Sequence, residues 1–302
     1  MFVIMGATGN TGRVTAEKLV AAGEKVRVIG RSAERLQPLV QKGAEAFVAD
    51  AEDAAALARA LAGATAVYSM VPPNLAAEDV CAHQLKVGRA LALAIEKAGV
   101  THVVNLSSVG AQLAEGAGPV SGLHAVEELL NGVTPANVLH LRPAYFMENH
   151  LAFIELIKKM GTTGGLVRSD LPIPMIATRD IGAAAAEALR RRDFTGHQTR
   201  ELLGERDLTM TQVASIIGRA IGKPGLGYTQ FPFMMAKPVL RQMGMSESMA
   251  ESLHEMAEAI NARRMVPLEK RSAANTTPTS IETFVAEEFV PRFQGRRTAA
   301  GA

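Results

Sequence analysis

The feature that most constrains the fold is the glycine-rich sequence GATGNTG at residues 6–12 of the 302-residue chain. An apolar run at 2–5 precedes it and predicts a short buried strand of a parallel sheet. Residues 11–22 then predict a helix that ends at Gly23, and residues 25–29 predict a second strand. Three glycines at the first strand-to-helix turn of a β-α-β unit are typical of a dinucleotide-binding site.

Each glycine of this turn has an expected role. Gly6 would allow the tight turn, Gly9 would let the backbone approach a diphosphate, and Gly12 would let the helix pack against the strand. The first N–H groups of the helix would bind the phosphates, because they have no partner within the helix. The alternative is a structural turn without a ligand. We predict a cofactor-binding loop made of Gly6, Thr8, Gly9, Asn10, Thr11 and Gly12.

The turn after the second strand predicts which dinucleotide is bound. NAD-specific sites usually place Asp or Glu about 20 residues after the glycines, where the carboxylate binds the ribose 2′-hydroxyl. Here Arg31 and Ser32 follow the strand, and the nearest carboxylate, Glu34, falls within the next predicted helix. The guanidinium and the hydroxyl are suited to a 2′-phosphate, although a solvated surface arginine is the alternative. The sequence therefore favours NADP(H) and leaves NAD(H) open.

Strand and helix patterns alternate through the first half of the chain. Six strands joined by helices predict a doubly wound parallel sheet, which is an α/β fold of the Rossmann type. Ligands of such sheets bind beyond the carboxyl ends of the strands, which adds Asp50, Ala51 and Met70 to the expected cofactor contacts. After the first two, the predicted strands cover 46–48, 66–71, 102–106 and 138–141, and the helices between them cover 54–61, 79–98 and 123–131.

The second half of the chain differs in composition, with frequent Pro, Gly and Met. We predict an NAD(P)-binding Rossmann domain over 1–148 and a smaller, mostly helical substrate-binding region over 149–302. Within that region, the segment 178–222 is expected to pack back on the Rossmann sheet.

Local patterns in the second half make two further predictions. Thr209-x-x-Gln212 and Thr279-x-x-Glu282 predict capping boxes at the starts of helices. The methionine-rich segment 231–235 is expected either to line an adaptable apolar pocket or to belong to the core.

Composition excludes several classes of protein. No window approaches the ~18 continuous apolar residues of a membrane span, and the net charge of +2 is too balanced for a nucleic-acid-binding surface. The first strand starts at residue 2 without a preceding basic segment, so no signal peptide is expected. The single cysteine, Cys81, suits a cytoplasmic protein and is expected to pack within a helix.

The seven histidines show no ligand spacing, so no metal site is expected. Monomer and homodimer both remain open.

Five sequences in chain order resemble the NmrA-like family of atypical short-chain dehydrogenase/reductases: MGATGNTG, VNLSSVGA, LHLRPAYFMENHL, ATRDIGAAAAEAL and SIETFVAEEF. The resemblance covers nearly the whole chain. It implies a Rossmann domain with a small C-terminal domain and NAD(P)(H) bound along the glycine-rich loop. It also implies that residues 143–147 lie near the nicotinamide, which adds Pro143 and Tyr145 to the cofactor contacts. The functional relatives that it suggests are NAD(P)H:quinone reductases, azoreductases and redox-sensing regulators.

The chain departs from the wider superfamily at the usual catalytic pair, Tyr-x-x-x-Lys, in which lysine lowers the pKa of a tyrosine that exchanges a proton with an alcohol oxygen. The residues four places after the three tyrosines are Pro72, Asn149 and Pro232, and the expected helix reads GLHAVEE at 122–128. Hydride transfer to a simple carbonyl makes a strongly basic alkoxide that needs such an acid. Hydride transfer to a quinone makes a delocalised phenolate that water or a modest donor can protonate, with proximity supplying much of the acceleration. A quinone-like acceptor is therefore favoured.

Few polar residues are left to act on such an acceptor. His124 is a candidate proton donor because a histidine titrates near neutral pH, and a structural histidine is the alternative. Ser107 is the second candidate catalytic residue, at the position of the superfamily's serine, although it could instead cap a turn. The aromatic ring of Tyr145 could stack on a flat acceptor ring. The expected substrate pocket consists of Ser108, Tyr145, Phe146 and Asn149.

Three hypotheses about function follow. The leading one is an NADPH-dependent reductase of a small, flat, quinone-like electron acceptor. The second is a non-enzymatic NADP(H)-binding redox sensor that acts through a protein partner, which the missing Tyr–Lys pair keeps open. The third is reduction or epimerisation of a sugar or small ketone, which the same absence disfavours.

Overall fold

The computed structural model describes residues 1–296, and residues 297–302 of the predicted second region lie outside it. Strands form its centre. The strands of the described part are β1 (Phe2–Ile4), β2 (Val26–Gly30), β3 (Glu45–Val48), β4 (Ala66–Ser69), β5 (His102–Leu106), β6 (Asn137–Pro143), β7 (Tyr145–Phe146), β8 (Thr163–Gly165), β9 (Ile173–Ile176), β10 (His197–Leu202), β11 (Asp207–Leu208) and β12 (Tyr228–Gln230).

The main sheet has seven parallel strands in the order β3-β2-β1-β4-β5-β6-β10. The first six form the strand order of a Rossmann fold, which confirms the predicted doubly wound α/β class. The seventh strand, β10, was not among the six predicted strands and pairs with β6 at the sheet edge. Strands β1 and β4 are buried along their whole length, as expected for a sheet covered on both faces.

Helices connect these strands and cover the sheet. The α-helices of the described part are α1 (Asn10–Ala21), α2 (Ala33–Val40), α3 (Ala54–Leu61), α4 (Val80–Ala98), α5 (Pro119–Asn131), α6 (Phe153–Met160), α7 (Thr178–Arg191), α8 (Met210–Ala220), α9 (Phe233–Gln242), α10 (Glu247–Asn261), α11 (Ile281–Phe284) and α12 (Val290–Phe293). A 3-10 helix covers Met147–Ala152, and a π-helical turn covers Val285–Phe289.

The two faces of the main sheet carry separate cores. Helices α1, α2 and α7 pack on one face, where Leu19 and Ile181 are fully buried. Helices α3, α4 and α5 pack on the other face, with Leu57 and Leu91 fully buried. The α1–α7 contact is close, because a Cβ atom at Gly182 would lie 2.7 Å from the Thr11 carbonyl oxygen.

A third core unites the small elements of the second half. Strands β7, β9 and β11 form one small sheet and β8 and β12 another. Helices α6, α8 and α10 pack around them, with Ile157 and Val213 fully buried. Within 178–222, α7 packs on α1 and β10 joins the main sheet, whereas α8 belongs to this third core.

Two capping patterns had different outcomes. The Thr209–Gln212 capping box is present at the start of α8. The box predicted for Thr279 and Glu282 is wrong, because Ser280 is the N-cap of α11. The Thr279 N–H and hydroxyl instead donate to the buried carboxylate of Asp180, at 2.9 and 2.7 Å.

Two expectations about burial are also wrong. Cys81 is exposed on α4 and does not pack in a core. The methionine-rich segment forms the start of α9, a helix without a buried residue, and Met234 is 79% exposed. Among the described residues, no helix is both long and apolar enough to cross a membrane.

Two buried histidines make the stability of the fold depend on pH. Burial lowers the pKa of His140 to about 4 and that of His150 to about 3. Both rings stay neutral in the folded chain, whereas each binds a proton below about pH 6.5 when the chain is unfolded. The free energy of unfolding is therefore independent of these two rings above about pH 6.5. Below that pH it falls by about 1.4 kcal/mol per pH unit for each ring, until the pH reaches the folded-state pKa.

His150→Leu should remove its share of this decline. The ring is fully buried, and within residues 1–296 its Nδ1 has no hydrogen-bond partner. Between pH 6 and pH 5 the wild type should lose about 1 kcal/mol more of its free energy of unfolding than His150→Leu loses. Urea denaturation at the two pH values measures this difference, with the exposed His197→Asn as the control. An equal pH dependence in wild type and His150→Leu would contradict the assignment.

Candidate functional site

The glycine-rich turn connects β1 to α1 and has no space for side chains. Gly6 has a φ of +59°, in the left-handed region that glycine adopts without strain. The Gly9 N–H donates to the Gly6 carbonyl at 2.8 Å. A Cβ atom at Gly12 would lie 2.5 Å from the Gly6 carbonyl oxygen, so only glycine lets α1 start this close to β1. The helix begins at Asn10, which is exposed.

The N-terminus of α1 is suited to bind a pyrophosphate. Its N-cap is Gly9 and no side chain caps it, so the N–H groups of the first turn remain for a ligand. The Thr8 methyl group lies 3.5 Å from a Cβ atom built on Gly30, between the ends of β1 and β2. The Thr11 side chain does not face the crevice, because it is buried and accepts a hydrogen bond from the Tyr68 hydroxyl at 2.9 Å. Only the backbone of Thr11 is left for a cofactor.

The turn after β2 presents a cluster of donors. The Ser32 hydroxyl oxygen caps α2 by accepting the Arg35 N–H at 3.3 Å, which leaves its proton to donate. Arg31 is exposed, and no hydrogen bond or ion pair joins its side chain to another described residue. Arg35 is also exposed, one helical turn further on, and was missed by sequence reasoning although its spacing of four from Arg31 indicates it. These groups are suited to a phosphate monoester.

Arg31→Ala should weaken NADPH binding and leave NADH binding nearly unchanged. The guanidinium would contact only the 2′-phosphate, and a hydrogen bond to a charged group contributes about 1.5–3 kcal/mol. We expect the Kd for NADPH to rise about 10- to 100-fold. Fluorescence titrations with both coenzymes measure the effect. The control is Arg191→Ala, an exposed arginine at the opposite end of the sheet, near the end of α7. Equal weakening of both coenzymes would remove the argument for Arg31.

The carboxyl ends of β3 and β4 hold the other predicted cofactor contacts. Asp50 is exposed, and its side chain accepts the Glu52 N–H at 2.9 Å, which fixes a turn with Ala51 at its centre. Met70 follows β4, and its sulfur lies 2.7 Å from a Cβ atom built on Gly6. It therefore packs against the glycine-rich turn.

His83 on α4 joins these two loops, and no local pattern in the sequence indicates this contact. Its Nδ1 lies 2.9 Å from Glu52 Oε1, and its Nε2 donates to the Pro72 carbonyl at 3.2 Å. Hydrogen bonds from Lys86 and His83 lower the pKa of the Glu52 carboxyl. Because Glu52 and Pro72 follow different strands, His83 fixes the separation of the loops that border the crevice.

A cavity of about 270 Å³ lies where β5 and β6 end. All four residues of the expected substrate pocket line it, together with Pro143. The remaining wall is apolar and comes largely from the second region, which was expected to bind the substrate although none of these wall residues was predicted. The lining consists of Ser108, Val109, Pro143, Ala144, Tyr145, Phe146, Asn149, Ile173, Pro174, Met256, Ile260, Met265 and Pro267.

The two serines after β5 have different surroundings. The Ser108 hydroxyl donates to the Val109 carbonyl at 2.9 Å and lines the cavity. Ser107 is 3% exposed and lies outside the lining, with its N–H bonded to the Leu141 carbonyl at 2.8 Å. Its hydroxyl has no hydrogen-bond partner in the described part of the chain.

His124 lies on α5, half-buried, and is not among the residues that line the cavity. Its Nδ1 donates to the Ala111 carbonyl at 2.9 Å. That bond assigns the proton to Nδ1 and leaves Nε2 as an acceptor when the ring is neutral. The catalytic assignments of His124 and Ser107 remain predictions.

A return segment, residues 262–280, closes the cavity from the side of the second region. Its Met265 and Pro267 belong to the cavity wall. The carboxylate of Glu201, which is 1% exposed on β10, accepts the backbone N–H groups of Leu268 and Glu269 at 2.9 and 2.8 Å. The main sheet therefore holds this segment in place directly.

A buried ion pair lies beneath the same region. The Arg142 guanidinium on β6 forms two hydrogen bonds with the Glu127 carboxylate on α5, at 2.9 and 2.5 Å. The hydrogen bonds with Glu127 raise the pKa of Arg142, and Glu201 on the adjacent strand adds to the effect. Within residues 1–296, no group of three or more His, Cys, Asp or Glu side chains could hold a metal ion.

Solved structures with this fold include several reductases. The Escherichia coli NADPH-dependent quinone oxidoreductase complexed with NADPH is 22% identical with a TM-score of 0.75, over 96% of this chain and 100% of that chain. The Citrobacter triphenylmethane reductase complexed with NADP(H) is 20% identical with a TM-score of 0.77, over 93% and 98%. A Staphylococcus aureus nucleoside-diphosphate-sugar epimerase is 17% identical with a TM-score of 0.78, over 95% and 99%. No curated protein sequence matches the chain significantly.

The family is shown by the sequence itself. The profile of the NmrA-like family matches residues 1–289, which is nearly the whole chain. The glycine-rich turn, the Rossmann sheet and the cavity at its carboxyl end agree with that match. The chain belongs to the NmrA-like family.

Proposed function

We propose that this protein is an NADPH-dependent reductase that transfers hydride to a flat, quinone-like electron acceptor. The observation that carries the proposal is a phosphate-binding turn and an apolar cavity at the same edge of one parallel sheet. Ligands of doubly wound sheets bind along this edge. Two proteins with the same fold, the quinone oxidoreductase and the triphenylmethane reductase, are reductases whose structures contain NADPH or NADP(H).

The residues present fit the cofactor. The uncapped first turn of α1 would bind the pyrophosphate, and Arg31, Ser32 and Arg35 would bind the 2′-phosphate. Met70 would border the dinucleotide, and Pro143 would separate it from the cavity. When bound, NADPH supplies the hydride.

The chemistry of the cavity favours a conjugated acceptor over a simple ketone. Its wall is mostly apolar and includes the aromatic rings of Tyr145 and Phe146 and the flexible thioethers of Met256 and Met265. Helix α5 carries no Tyr-x-x-x-Lys pair to protonate an alkoxide. A quinone spreads the charge that it gains over its ring, so binding and orientation supply most of what the protein must contribute.

An acceptor panel tests the proposal. The purified chain should consume NADPH, followed at the absorbance band of the reduced nicotinamide, when quinones or similar flat acceptors are added. Simple alcohols with NADP⁺ should give no signal. Tight NADPH binding without turnover of any acceptor would instead support the redox-sensor alternative, and capture of a protein partner only in the presence of the cofactor would establish it.

We further propose that the protein works in the cytoplasm on a small molecule, as a monomer or homodimer, without nucleic acid or membrane. The single cysteine, the balanced net charge of +2 and the apolar cavity support this setting.

A further inference from the structure

We propose that the Tyr145 hydroxyl donates a hydrogen bond to the acceptor oxygen on which negative charge develops during reduction. The inference rests on the proposed function and assigns to the chain's own residues the task that the missing Tyr–Lys pair leaves open.

Among the described residues that line the cavity, three side chains carry oxygen or nitrogen: Ser108, Tyr145 and Asn149. The Ser108 proton is already donated to the Val109 carbonyl. Asn149 lies close enough to the Tyr145 hydroxyl to lower the pKa of that phenol, against the larger effect of burial. The Tyr145 hydroxyl, in contrast, donates to no backbone carbonyl of residues 1–296, so we assign it as the hydroxyl donor of the lining for a ligand.

Packing holds the Tyr145 ring in place from behind. The centroid of this ring lies 5.5 Å from that of the His150 ring. The ring centroids of His150 and Phe153 are 5.3 Å apart, and those of Phe153 and Tyr228 are 6.1 Å apart. The Tyr228 hydroxyl donates to the Val167 carbonyl at 2.8 Å, so it does not compete for a ligand. A donor fixed in this way needs no reorganisation as charge develops on the acceptor.

The protonation states suit a donor. Burial raises the pKa of Tyr145 to about 12, so the phenol keeps its proton at neutral pH. Burial also lowers the pKa of His150 to about 3, so its neighbour is a neutral ring. Tyr145 consequently stabilises the negative oxygen by a hydrogen bond and does not give its proton away.

The reaction balances without a proton from the protein. NADPH supplies one hydride, which carries two electrons and one proton, and a quinone that gains it has one negative charge on an oxygen. A proton from water completes the hydroquinone. The Tyr145 hydrogen bond acts on the charged oxygen before that proton arrives.

A pair of acceptors separates this role from a structural one. A quinone gains charge on oxygen, whereas a cationic triphenylmethane dye takes hydride at its central carbon and becomes neutral. Tyr145→Phe keeps the ring and removes the hydroxyl. We expect kcat/KM for the quinone to fall about 10- to 100-fold, the usual effect of one hydrogen bond to a charged group. The kcat/KM for the dye should fall much less, because no negative charge develops on an oxygen of the dye.

A binding measurement tests the donor without turnover. The phenolate form of 4-nitrophenol, a flat ring with one negative oxygen, can be titrated by absorbance into the chain with and without NADP⁺. We expect Tyr145→Phe to bind it about 10-fold more weakly than wild type. Tyr228→Phe removes a hydroxyl outside the cavity and is the matched control. A cooperative urea-unfolding transition in all three proteins verifies that the variants fold.

The outcomes distinguish the two proposals. A wild type that reduces neither acceptor defeats the proposed function, and the nitrophenolate titration still decides whether Tyr145 is a donor. Equal losses with quinone and dye, or equal nitrophenolate affinity in wild type and Tyr145→Phe, would overturn the donor assignment.

Discussion

Gly12→Ala should abolish useful NADPH binding and destabilise the fold. The added Cβ atom would lie 2.5 Å from the Gly6 carbonyl oxygen and 2.8 Å from that of Met5. These are backbone atoms that cannot move aside without opening the turn. Overpacking of this kind costs about 1–3 kcal/mol of stability, which outweighs the roughly 1 kcal/mol that alanine gains over glycine in a helix. The displaced helix N-terminus should lose about 100-fold in NADPH affinity.

Calorimetric titration and urea denaturation measure the two effects of Gly12→Ala. Gly225→Ala is the matched control, because no atom lies within 4 Å of a Cβ atom built there and its φ lies outside the left-handed region. We expect that control to change stability by less than about 0.5 kcal/mol. Wild-type affinity in Gly12→Ala would show that the cofactor does not bind at this turn.

Glu127→Leu should cause the largest loss of stability among the substitutions considered. It leaves the Arg142 guanidinium, about 10% exposed, without the carboxylate that accepts both of its hydrogen bonds. Breaking a buried pair by removing one partner typically costs about 3–5 kcal/mol. The loss should appear as a lower free energy of unfolding in urea, with the m-value unchanged.

A second substitution identifies the cause of that loss. The double variant Glu127→Leu/Arg142→Met removes both charges and should recover much of the lost stability, because apolar groups of similar volume often replace buried pairs well. Asp170→Asn breaks the exposed Arg168–Asp170 pair and should have no measurable effect. If the double variant is less stable than Glu127→Leu, the uncompensated charge is not the cause.

The first half of the fold could be predicted because local patterns determine it. Strand β1 is an apolar run, and β4 and β5 each contain adjacent apolar residues. Gly99 ends α4 in the left-handed conformation that such a helix end favours. Strand β10 was missed because HQTREL is polar and lies at the sheet edge, with its first three residues exposed. Its pairing with β6 depends on tertiary contacts that no local pattern shows.

The individual residues of the candidate site were predictable only on the side of the Rossmann sheet, although the second region as a whole was expected to bind the substrate. Ser108 and Asn149 come together because the carboxyl ends of adjacent parallel strands meet at one edge. The opposite wall is brought there by α10 and the return segment, whose position depends on buried carboxylates such as Glu201 and Asp180. Asp180 also explains the failed capping prediction, since it binds the Thr279 hydroxyl that would have capped a helix.

The central claim is that the first turn of α1 binds the pyrophosphate of NADPH, and one calorimetric titration of the wild-type chain with NADPH tests it most directly. We predict saturable binding of one equivalent per chain, with NADPH preferred over NADH because of Arg31, Ser32 and Arg35. An absence of heat and of binding with both coenzymes would contradict the account.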